Sequence, residues 1–82
     1  MHEWGITQSL IDEIKNQAGI NSIKSVTFVE ISLGRKSDMS RKALTTCFKV
    51  LAIDEIIKGC KLKIKTTAGN ELIIDKLTGK QD

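Results

Sequence analysis

The hydrophobic period of this chain alternates between helix and strand, and that alternation limits the folds open to it. Between Glu3 and Ala18, apolar residues recur at Ile6, Leu10, Ile11, Ile14 and Ala18, the spacing of one stripe along a helix. Gly19 stands where a helix stop is expected, and Asn21-Ser22 turns the chain. Residues 23–33 read as a strand, with Val26, Phe28, Val29, Ile31 and Leu33 of strand-favouring type. Simple alternation places Thr27, Val29, Ile31 and Leu33 on one face and Val26, Phe28, Glu30 and Ser32 on the other. Gly34 ends the strand and Arg35 to Asp38 form a polar loop. Asp38 or Ser40 caps a second helix whose apolar positions are Leu44, Cys47, Phe48 and Leu51. Residues 53–57 continue irregularly to a break at Gly59. Lys61, Lys63 and Lys65 then alternate with Leu62 and Ile64, a half-buried strand with one wet face. After a turn at Ala68-Gly69-Asn70, Leu72 to Leu77 form the return strand, and the tail beyond Thr78 is expected to fray.

The order is α-β-α-β-β, an α+β fold. Its simplest packing is a three-stranded sheet with two helices on one face. With 82 residues, a single α/β domain over 1–82 is expected. So short a chain buries only about 60–65% of its unfolded surface, which argues against a deep cleft. Aromatics are scarce at 4%, so the core is aliphatic, and with no proline the turns fall to Gly, Asn and Ser. No apolar run nears the roughly 20 residues of a membrane span, and the N-terminus lacks a signal-peptide pattern. The expectation is a cytoplasmic protein with no membrane association and with Cys47 and Cys60 reduced.

The net charge of +3 is mild. Arg35, Lys36, Arg41 and Lys42 cluster before the second helix, and Lys58, Lys61, Lys63 and Lys65 line a strand. No aromatic interleaves with those lysines to stack bases, so they read as solvated faces and no nucleic-acid partner is expected. An enzyme is not expected either. The only histidine is His2, and no other imidazole is present to act as base for a hydroxyl or thiol. Asp54 and Glu55 are adjacent carboxylates on a polar turn.

His2 adjoins the free amine, and that placement carries chemistry. The Met1 amine, the His2 amide and the His2 ring nitrogen can close fused chelate rings around one ion. Planar nitrogen donors suit Ni(II) or Cu(II). The first N–H groups of a helix have no intrahelical partner, so these amides are uncommitted. The helix dipole disfavours a cation there, and the Glu3 carboxylate offsets it as a ligand or counter-charge. Taken alone, a terminal histidine is more often a solvated side chain.

Met1-His2-Glu3-Trp4 resembles the start of the HypA/HybF family of hydrogenase nickel-incorporation proteins. Val29 to Gly34, the helix with Leu44, Phe48 and Leu51, the stretch 57–64, and Gly69 to Leu72 are also similar to it. The resemblance implies a nickel metallochaperone for [NiFe]-hydrogenase, or another nickel enzyme such as urease. Its implied partners are a HypB-type GTPase and the hydrogenase large subunit. Met1, His2 and Glu3 would bind Ni(II) transiently. The family inserts a zinc segment with two Cys-x-x-Cys pairs between its last two strands, where residues 66–70 here simply turn. Cys47 in an apolar stripe and an isolated Cys60 make no tetrahedral site, so this reads as a short form without the zinc domain and with no zinc. A monomer or weak homo-oligomer is expected. The alternative is a non-catalytic protein-interaction domain using exposed sheet edges, or a paralogue without metal function.

Overall fold

A computed structural model describes residues 2–81, with His2 given by its backbone alone. The elements are α1 (His2–Ile20), β1 (Ser25–Gly34), α2 (Arg41–Leu51), β2 (Lys61–Thr67) and β3 (Leu72–Lys80). The sheet order is β2-β1-β3. β1 runs parallel to β2 through the α2 crossover and antiparallel to β3. The sequence order and the three-stranded sheet are as expected.

The core follows the stripes. Leu10, Ile11, Ile14 and Ala18 of α1 and Leu44 and Phe48 of α2 join Val26, Val29, Ile31 and Leu33 of β1 in one buried cluster. Leu62, Ile64, Leu72, Ile74 and Leu77 of the flanking strands pack against it. Both helices therefore cover one face of the sheet, and the other face carries Phe28, Glu30 and Ser32. α2 starts where expected: Ser40 is extended, and its hydroxyl accepts from the Ala43 N–H at 3.0 Å. Of the two cap residues considered, it is Ser40 and not Asp38 that serves.

Three expectations are corrected. β1 is bulged at Thr27: Val26 opposes Gly79 and Phe28 opposes Thr78, leaving Thr27 without a partner of its own. The extra residue shifts the alternation by one, so Val26 joins Val29 in the core and Thr27 is exposed. α1 does not stop at Gly19. It runs through Ile20 and closes on Ser22, which takes φ 58. The Ile23 N–H donates to the Ala18 carbonyl at 2.8 Å and the Ser22 N–H to Gly19 at 3.2 Å, the paired bonds of a Schellman cap. The last strand continues through Lys80, because Lys80 pairs with Ser25 and its carbonyl accepts from the Lys24 N–H at 2.8 Å.

β2 and β3 flank β1, so the four residues joining them cross over its end. Gly34 N–H donates to Glu71 O at 2.8 Å, Arg35 N–H to Thr67 O at 2.9 Å and Lys36 N–H to Gly69 O at 2.8 Å. A Cβ at Gly34 would overlap the Gly69 carbonyl and come within 2.7 Å of the Asn70 Cα. Only glycine fits this passage.

Candidate metal site at the N-terminal turn

Met1 and the side chain of His2 lie outside the described residues; of the three candidate ligands, Glu3 is described. It lies half-buried in the first turn of α1. Its carbonyl accepts from the Thr7 hydroxyl at 2.8 Å, and Thr7 is wholly buried. Thr7 and Leu10 fasten this turn to the core, while Trp4 remains 37% exposed. The first turn is thus anchored from below, and its leading amides have no acceptor four residues back. Thr7 was missed by the hydrophobic reading. Its signal was positional: Thr7, Leu10, Ile11, Ile14 and Ala18 keep one helical stripe, and a threonine can stand there because its hydroxyl bonds the carbonyl four residues back.

Two hollows adjoin this end. A small one of about 300 Å³ is lined by Ile6, Leu33, Met39 and Leu72, together with residues 36–38 and Asn70. A larger open groove of about 1610 Å³ runs between α1 and β3, from Gly5 to Gln81. Gly5, Ser9, Glu13 and Gln17 form its helical wall.

Among the described residues, no three His, Cys, Asp or Glu side chains cluster to hold a metal ion. Cys47 is buried in α2, and Cys60 is half-buried just before β2. Burial pushes the Cys60 thiol up, away from the thiolate that a metal requires. Among the described residues, no helix is long and apolar enough to cross a membrane.

A family model described as "Hydrogenase/urease nickel incorporation, metallochaperone, hypA" matches residues 1–76. The hydrogenase maturation factor HypA of Actinobacillus succinogenes is 32% identical over 62 residues, covering 76% of this chain and 55% of that protein. HypA of Crocosphaera subtropica is 35% identical over 69 residues, covering 84% and 58%. HybF of Klebsiella pneumoniae is 36% identical over 64 residues, covering 78% and 57%. The chain spans about half the length of the curated relatives it matches. In fold, it matches the solution structure of the Ni metallochaperone HypA from Helicobacter pylori with a TM-score of 0.85, at 16% identity and over 98% of both chains. The matched segment begins at the Met-His-Glu start, and the chain belongs to the HypA family of hydrogenase and urease nickel-incorporation metallochaperones.

Proposed function

We propose that this chain binds Ni(II) at its N-terminus and passes it to a nickel enzyme, [NiFe]-hydrogenase first among them. The observation that carries this reading is the family match over residues 1–76, which includes the terminal motif. Met1 supplies the amine, His2 its amide and ring nitrogens, and Glu3 a carboxylate that holds or releases the ion. Three nitrogens in a plane with one exchangeable position suit a d⁸ cation. Deprotonation of the His2 amide on binding makes loading proton-coupled, so affinity falls in acid. The ion is cargo, and the role is delivery rather than catalysis.

A HypB-type GTPase and the hydrogenase large subunit are the partners this reading names, with the cytoplasm as its location. No structural zinc belongs to this reading, because Cys47 is buried in α2 and Cys60 stands alone before β2.

The test is a Ni(II) titration of untagged protein near pH 7.5, followed by calorimetry and near-ultraviolet absorption. One-to-one binding that is lost in His2→Ala and in an N-acetylated form supports the site. Binding indifferent to both changes, or no binding, removes it.

A further inference from the structure

The sheet face away from the helices holds none of the proposed nickel ligands, yet its composition is ordered. Residues paired across the strands share a face. Phe28 lies between Lys61 and Thr78, Glu30 between Lys63 and Lys76, and Ser32 between Lys65 and Ile73, while Ser25 opposes Lys80. Five lysines thus stand on this face against two carboxylates, Glu30 and Asp75. The excess equals the +3 of the whole chain. Glu30 lies 3.6 Å from Lys63 and Asp75 lies 3.8 Å from Lys65. Among the described residues, no carboxylate comes within ion-pair distance of Lys61, Lys76 or Lys80. Those three surround Phe28. Phe28 is half-buried and Ile73 is 50% exposed, and neither packs against the core.

The edges, by contrast, carry features that work against strand addition. The Arg41 guanidinium donates to the Ile64 carbonyl of β2, occupying an acceptor on that edge strand. β3 is bulged at Asp75, between Lys76 opposite Glu30 and Ile74 opposite Ile31. Both devices discourage pairing with another strand. The face itself remains open, and a parallel strand pair such as β1–β2 ordinarily carries helices on both sides. Its lysine rows on β2 and β3 are two strand spacings apart, about 9.5 Å. A helix with side chains is about 10–12 Å wide.

We propose that this face docks an acidic amphipathic helix of a partner protein. The helix lies along β1, sets its apolar stripe on Phe28 and Ile73, and aims carboxylates at Lys61 on one side and at Lys76 and Lys80 on the other. The inference stands apart from the nickel reading, since none of these residues belongs to the N-terminal turn.

The probe is a synthetic helical peptide of about five turns with a leucine stripe and glutamate flanks, titrated into full-length ¹⁵N-labelled protein. Expected are amide shifts confined to residues 28–32, 61–65 and 73–80. Binding should weaken about tenfold in Lys61→Glu/Lys76→Glu and on raising NaCl from about 50 to about 300 mM. Both lysines are exposed, so the variant keeps the wild-type fold, which its amide spectrum checks. Nickel binding should be unchanged in that variant. The proposal fails if the peptide causes no shifts at about 1 mM, if the shifts map to α1 or α2, or if a lysine-flanked peptide binds as well. It also fails if a single-stranded oligonucleotide competes better than the peptide, because the face would then be a nucleic-acid surface.

Discussion

At the Gly34 end of the sheet, main chain alone packs on main chain, whereas at the Ser25 end a similar close approach, of Gly79 to the Ser25 carbonyl, is joined by packed isoleucine side chains. The first is the end of the crossover: three backbone bonds tie residues 34–36 to residues 67–71, and no Cβ fits at Gly34. At the second, the Val26 N–H donates to Ile56 O at 2.7 Å, while Ile57 is wholly buried and Ile23 and Ile56 pack on the core. Main-chain packing tolerates no change of volume. Side-chain packing can relax around a lost methyl group, so its losses are graded. Gly34 at one end and the isoleucines at the other should therefore answer substitution differently.

The largest effect is expected at Gly34. Gly34→Ala forces backbone atoms apart and should cost at least about 3 kcal/mol in urea unfolding; a loss under about 1 kcal/mol would show that the crossover yields. Ile57→Ala at the opposite end should cost about 2–5 kcal/mol and leave the fold intact by amide spectrum. A third change should raise stability. Ser22 holds a left-handed conformation that favours glycine, so Ser22→Gly should raise the unfolding free energy by about 0.5–1 kcal/mol. A drop in melting temperature would mean that the serine side chain contributes something the cap geometry does not reveal.

The smallest effect returns to the crossover. The Thr67 hydroxyl donates to Glu71 at 2.7 Å and, together with the Glu71 N–H, holds that carboxyl below its ordinary 4.5. A carboxyl lowered on folding contributes stability that is present above its unfolded value and lost as pH falls through its folded one. Thr67→Val removes much of that contribution. Wild type and variant should thus differ most near neutrality and converge in acid, as read from urea midpoints between pH 7 and about pH 3. Parallel curves would mean that Glu71 does not sense Thr67.

Much of this architecture was legible from period and caps. Leu44, Cys47 and Phe48 fall on the buried side of α2, and Ser40 caps it. Lys61, Lys63 and Lys65 are exposed as their alternation requires. What escaped depends on register and on long-range pairing. Thr27 is an acceptable strand residue on either face, so nothing local marks it as the extra one; Gly79, opposite Val26 from across the sheet, belongs to a strand over fifty residues away. Gly79 and Lys80 are weak strand formers by type and are ordered by pairing with β1. The N-terminal candidate was legible because its chemistry resides in adjacent residues. The hydroxyl of Thr7 beneath it was not, because a polar residue in an apolar stripe looks like an interruption.

The crossing of β1 by residues 68–71 has a topological consequence. The chain departs from one side of the central strand and re-enters on the other, so the exit and return points are about two strand spacings apart, near 9.5 Å. Sequence grafted between them would be moored on both flanks of Gly34, like a bridge deck on two piers, rather than swing on one tether. The entropic charge for length is slight, about 0.6 kcal/mol per doubling of the loop. The sheet itself would survive, because β2 and β3 each pair with β1 and not with each other. This end of the fold is accordingly a port at which an added module would be tied to the sheet at two points.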